Sequence, residues 1–137
     1  MAEYLKPLPT MAPETAGFWE AARRHQLVIQ RCARCWRMQH PPRAVCAACG
    51  HTEYEWVPSA GKGQVYSLTR VYQNRAPGWA DEVPYVFAII QLNEGIHLIS
   101  NVVGVPAEQV HIGTPVEVFF EDVTEEISLP KFRVAQE

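Results

Sequence analysis

Four cysteines stand as two C-x2-C pairs, Cys32 with Cys35 and Cys46 with Cys49, separated by ten residues. Two such pairs can hold four thiolates tetrahedrally around one Zn²⁺, at Zn–S distances of about 2.3 Å. The segment between and around them has almost no aliphatic bulk, so the metal would supply the folding energy that its own core cannot. Four sulfurs complete the shell and leave no position for water or substrate, so the expected ion is one structural zinc per chain. Disulfides are the alternative use of four cysteines. Met1–Pro9 carries Glu3 and two prolines where a signal peptide needs an apolar core, which argues for a reducing, cytoplasmic setting in which thiolates persist. A redox C-x-x-C needs no second copy and opens a helix, which neither pair does. His40 and His51 lie near the pairs and read as polar residues of the turns.

The other chemistry-bearing residues are sparse. Ser59, Ser67, Ser100 and Ser128 lack a G-x-S-x-G context. His97, between Ile96 and Leu98, reads as a solvent-facing strand residue, and His111 as the end of a helical turn. Glu121, Asp122, Glu125 and Glu126 read as a solvated loop between the last two strands. Arginine is different. Residues 21–52 hold six arginines (Arg23, Arg24, Arg31, Arg34, Arg37, Arg43) and no acid, whereas residues 59–137 carry five cations against ten acids. Arg34, Arg37 and Arg43 beside Trp36 suit a phosphorylated ligand, with bidentate contacts to phosphate and an indole to stack on a base. The same arginines also suit neutralising a tetrathiolate zinc centre of formal charge −2.

These groups need elements to place them. Residues 1–13, with Pro7, Pro9 and Pro13, predict an extended arm. Glu14 to Gln26 spaces Phe18, Trp19, Ala22 and His25 as a helix does, and β-branched Val28 and Ile29 put a short strand over Leu27–Arg31. Beyond Trp56 five β-rich runs follow: Gly63–Tyr72, Tyr85–Asn93, Ile96–Val105, Val116–Phe120 and Phe132–Val134. Glu94-Gly95 predicts a tight hairpin, Pro106–Gly113 a helical turn, and Arg75–Pro84 a long loop. Five strands with a helical turn between the third and fourth predict an OB-fold barrel, with an SH3-like barrel or open meander as rivals.

The expected architecture is mainly β: arm and helix over 1–26, zinc ribbon over 27–58, OB-fold over 59–137. Within 137 residues, 47% apolar and 20% charged, this is the balance of a folded chain. A net charge of −3 argues against general binding to nucleic acid or membrane surfaces.

Taken in order, FWEAARRHQLVIQRC, the knuckles CARC and CAAC with following Gly50, GKGQVYSLTRV, VPYVFAIIQLNEG, LISNVVG, IGTPVEVFFEDV and LPKF resemble a family that joins a rubredoxin-like zinc ribbon to an OB fold. Its members are accessory subunits of thiolase-superfamily and lipid-transfer-type enzymes. The resemblance implies a non-catalytic, acyl-CoA-handling subunit of a thiolase-like aldolase or acyltransferase in lipid, steroid or related acyl-CoA metabolism. It would work in a hetero-oligomer, with the chemistry left to the partner. Arg34, Arg37, Arg43 and Trp36 are then the candidate CoA contacts, and Tyr4, Leu5, Phe18, Trp19 and Trp79 the candidate partner contacts. A nucleic-acid-binding ribbon/OB module is a rival opposed by the acidic barrel half. A small independent acyl-CoA enzyme is a second rival, opposed by the missing nucleophile and base.

Overall fold

The computed structural model describes residues 4–135. The first three residues of the expected arm and the last two of the chain fall outside it. From Tyr4 to Pro13 the chain runs without helix or strand, as its prolines require. It lies against the long loop 75–84. Lys6 is buried with its ammonium on Glu82 and 4.4 Å from the Trp79 ring centroid, and Trp79 in turn packs on Tyr85 at 5.0 Å.

The helix, α1, covers Ala16–Arg23 and is shorter at both ends than expected. At its C-terminus His25 adopts φ 61°, its N–H donating to the Ala22 carbonyl (2.8 Å) and that of Gln26 to Ala21 (2.9 Å). This is a Schellman closure with histidine where glycine usually stands. The His25 ring compensates by stacking on Phe120 and bonding Asp122 Oδ1 at 2.7 Å, which ties the helix end to the barrel. α1 buries Phe18, Ala21 and Ala22. Gly17 lies under the Trp56 indole so closely that a Cβ would fall 2.2 Å from Nε1.

Next comes a three-stranded antiparallel sheet, with β1 (Val28–Cys32) between β2 (Met38–Gln39) and β3 (Tyr54–Pro58). Only β1 was expected. The joint to the barrel is fastened at several points: Ser59 N–H donates to the Leu27 carbonyl (2.8 Å), while both carboxylate oxygens of Glu94 accept from Ser59 Oγ (3.0 Å) and Ala60 N–H (2.8 Å).

Five strands then close a barrel: β4 (Lys62–Val71), β5 (Tyr85–Leu92), β6 (His97–Val103), β7 (Pro115–Asp122) and β8 (Ser128–Val134), in the order β4-β5-β6-β8-β7 and back to β4. Only the β6–β8 pair is parallel. A 3₁₀ turn over Ala107–Gln109 separates β6 from β7, as the sequence predicted, and this is an OB fold. Arg70 holds that turn by donating to the carbonyls of Ala107 (2.9 Å) and Val110 (2.6 Å). Alternate residues fill the interior, including Val86, Ala88, Ile90 and Leu92 of β5 with Phe132 opposite. Closure gives every strand two neighbours, through short seams: β4 meets β7 over Lys62–Gln64 and β6 meets β8 over Val102–Val103.

Two expectations need correction. Glu121 and Asp122 belong to β7 and not to a solvated loop: Glu121 pairs with Lys131, and Asp122 accepts from Ser128 Oγ at 2.5 Å as well as meeting His25. Cross-strand partners on β8, which begins four residues earlier than expected, hold them there. Phe18 is only 5% exposed and packs edge-on to Trp19 at 5.0 Å, so its ring is a core element and not a partner contact.

Candidate metal centre and its surroundings

Cys32 ends β1, and the turn that follows brings Cys35 back beside it. The second pair is folded the same way in the loop before β3: Cys46 N–H donates to the His51 carbonyl (2.9 Å) and Gly50 N–H to the Cys46 carbonyl (2.9 Å). In each knuckle the residue after the second cysteine takes a left-handed conformation, Gly50 at φ 77° and Trp36 at φ 66°. Glycine does this without strain; tryptophan does not.

The four Sγ atoms lie within 4.8 Å of one another, with Cys32–Cys49 and Cys35–Cys46 both at 3.6 Å. A tetrahedron with Zn–S bonds of about 2.3 Å has edges near 3.8 Å, whereas a disulfide needs about 2.05 Å. The donor set therefore fits one structural zinc. His40 and His51 are not part of it.

Backbone donors tune the sulfurs before any metal arrives. N–H groups of Cys35 and Arg34 point at Cys32 Sγ (3.5 and 3.4 Å) and hold that thiol below its ordinary value against the opposing effect of burial. Donation from the Cys49 and Ala48 amides brings Cys46 down to about 6. Cys35 receives help from the Arg37 amide, but burial and the crowding of three neighbouring sulfurs push it up to about 11. One knuckle thus offers a ready thiolate, and the metal must displace a proton from the other.

A buried amide pair, absent from the sequence-based expectations, holds the second knuckle in place. Gln30, 1% exposed on β1, donates to the Arg43 carbonyl (2.7 Å) and accepts from Arg43 N–H (3.0 Å) and Gln39 Nε2 (2.7 Å). Gln39 reaches on to the Val45 carbonyl (3.2 Å) and the Ala47 amide (3.1 Å). Alternation within β1 was the available signal, since Gln30 shares a face with apolar Val28 and the ligand Cys32.

The candidate CoA residues divide between two places. Arg34, Trp36 and Arg37 share the first knuckle; Arg43 sits on the loop leading to the second. All four are exposed, Trp36 at 61%, with the Arg31 guanidinium 4.7 Å from its ring centroid. Arg31 is committed to Glu55, but among the described residues Arg34, Arg37 and Arg43 have no carboxylate partner. Of the candidate partner contacts, Leu5 is 58% exposed, while Tyr4, Trp19 and Trp79 are half-buried. His97 is exposed and packs on Tyr66 at 4.3 Å, as expected of a solvent-facing strand residue.

The ribbon and barrel both correspond to ChsH2 family models: the rubredoxin-like zinc ribbon domain over residues 19–55 and the C-terminal OB-fold domain over 56–121. A DUF35 domain-containing scaffold protein of Methanocaldococcus jannaschii is 36% identical over 75% of this chain and 73% of its own length. The chain belongs to the ChsH2/DUF35 family. Among solved structures of the family, the one titled "Ltp2-ChsH2(DUF35) aldolase" superposes with a TM-score of 0.86 at 39% identity, covering 94% of this chain and all of that one. A probable enoyl-CoA hydratase alpha subunit of Thermomonospora curvata is 40% identical over 96% of this chain, which spans 40% of that relative's length. The benzoylsuccinyl-CoA thiolase subunit BbsA of Thauera aromatica is 29% identical over 56% of this chain and 51% of its own. No helix among the described residues is long and apolar enough to cross a membrane.

Proposed function

We propose that this chain is a non-catalytic scaffold subunit of a thiolase-like partner, an aldolase or acyltransferase, and that it holds acyl-CoA through the ribbon. The aldolase title and the thiolase-subunit name of its relatives support the partner class. The geometry supports the non-catalytic role. Ser128 Oγ and His25 Nε2 both bond to Asp122 Oδ1, so the carboxylate stands between them and no imidazole reaches the hydroxyl to take its proton. Ligand zinc is closed by four sulfurs. In this reading the division into arm and helix (1–26), ribbon (27–58) and OB-fold (59–137) is also a division of labour, with Leu5, Tyr4, Trp19 and Trp79 facing the partner.

The observation that carries the CoA assignment is Trp36. A bulky residue in the left-handed region costs on the order of 1–2 kcal/mol, and this exposed indole recovers only part of that, from the Arg31 guanidinium over its ring. Strain of this kind is retained where the side chain has a use, here a flat surface beside Arg34 and Arg37 with no acid to neutralise them. Calorimetry of CoA on the complex with its partner tests this. Replacing Arg34, Arg37 and Arg43 together with glutamine should weaken binding at least tenfold, less so at high salt, with zinc content unchanged. Equal affinities would assign the arginines to screening the thiolates. Turnover of acyl-CoA esters by the isolated chain would refute the non-catalytic role.

A further inference from the structure

The four sulfurs of the metal centre are not equally placed. Cys32 and Cys46 are buried, whereas Cys35 and Cys49 reach the surface. Backbone donors divide the set again. Cys32 Sγ accepts from the amides of Arg34 and Cys35, at 3.4 and 3.5 Å, and Cys46 Sγ from that of Ala48 at 3.4 Å. Each such bond stabilises negative charge on the sulfur and lowers its readiness to attack an electrophile. Cys35 draws on the Arg37 amide, while among the described residues no N–H is directed at Cys49 Sγ.

The two exposed sulfurs also differ in their flanks. Cys35 stands between Arg34 and Trp36, both large. Cys49 follows Ala47 and Ala48 and precedes Gly50, where even an added Cβ would meet nothing within 4 Å. Cys49 is therefore the sulfur of the centre that combines exposure, no amide donor and small neighbours. Across the centre it meets Cys32 Sγ, 3.6 Å away on the other knuckle and on a residue only 4% exposed. An accessible thiolate poised beside a second, shielded one is the arrangement in which oxidation of the first is resolved by the second.

We propose that Cys49 is the point at which peroxides enter the centre and that Cys32 is its resolving partner, so that oxidation opens the ribbon reversibly. Cys49 Sγ attacks one oxygen of hydrogen peroxide; an S–O bond forms, the O–O bond breaks and hydroxide leaves. Cys32 Sγ then attacks the sulfenic sulfur, forming the S–S bond as a second hydroxide departs. The two sulfurs together give up two electrons, and with two protons from solvent the peroxide ends as two waters. Cys35 and Cys46 remain, too few for a closed four-sulfur shell, so zinc affinity is lost. The new bond spans the knuckles, joining the end of β1 to the loop before β3, and holds them together until a thiol reduces it. The inference rests on the fit of the four sulfurs to zinc and not on the scaffold reading, since neither CoA nor a partner takes part.

Hydrogen peroxide is the probe, added to the intact, zinc-loaded chain with a chromogenic zinc reporter present. One zinc should be released for each peroxide consumed, and non-reducing peptide mapping with fragmentation should find Cys32 linked to Cys49. With dimedone present and peroxide below stoichiometry, Cys49 should be trapped about tenfold or more over any other cysteine, as its access and thiolate character require. Dithiothreitol with added zinc should restore the metal content and the amide spectrum. First trapping at Cys35, a disulfide within either knuckle or between Cys35 and Cys46, or zinc retained in a large excess of peroxide would each overturn the assignment.

Discussion

Replacing Gln30 with leucine isolates what the buried amide contributes to the metal centre. The two side chains are similar in volume, so the change removes hydrogen bonds and creates no cavity. Gln30 makes three of them, two to the Arg43 backbone and one to Gln39. At about 1 kcal/mol each the loss is about 3 kcal/mol, and more if the Arg43 carbonyl finds no water. In a ribbon whose folding and metal binding are one equilibrium, that amount appears as zinc affinity, and about 1.4 kcal/mol per decade makes it roughly 100-fold. Competition against a chromogenic chelator measures it, with the barrel followed separately by the Val86, Ile90 and Phe132 resonances, which should not move. A zinc affinity within threefold of wild type would mean that the four cysteines organise the site unaided and that the amide pair is incidental.

Elemental analysis should find one zinc per chain, and Cys49→Ser should release it and unfold the ribbon while the barrel stays folded, seen as loss of only the β1–β3 amide resonances. Trp36→Gly relieves the left-handed strain, so it should keep zinc affinity while weakening CoA binding by calorimetry. Gly63→Ala puts a Cβ 2.2 Å from the Gln91 carbonyl oxygen, a backbone atom that cannot give way, and should lower barrel stability by about 2 kcal/mol or more in urea unfolding. The Ser128 hydroxyl and then His25 hold the Asp122 carboxyl below its usual range, so its contribution is present above the unfolded value of roughly 3.9 and lost as pH falls through the lower folded value. Asp122→Asn should flatten that acid limb in pH-dependent unfolding.

What could be read from the sequence follows from how local each feature is. Cysteine spacing encodes the tetrahedral site because each knuckle is a turn of a few residues, and the β5–β6 hairpin was legible in Glu94-Gly95, where Gly95 takes φ 89°. Features that depend on distant partners were not. Met38–Gln39 is too short to announce a strand, and it exists because β1 lies beside it. Tyr54–Pro58 did carry a signal, two aromatics alternating with Glu55 and then a β-branched valine, but it was overshadowed by the cysteines before it. The end of α1 escaped because His25 stands where glycine would mark it, and its ring is held by Phe120 and Asp122, about a hundred positions along the chain.

The grip of Glu94 on Ser59 and Ala60 has a mechanical meaning. The carboxylate sits on the tip of the β5–β6 hairpin and reaches the connector that leaves the metal-bound sheet, so a torque on the ribbon is delivered straight into the hairpin instead of being absorbed by a swivel. Two small folds are thereby made into one bracket of fixed angle. A protein that grasps the barrel also sets where the knuckles point, and the distance between what each half carries becomes a property of the chain itself, unaltered by thermal wandering of a tether.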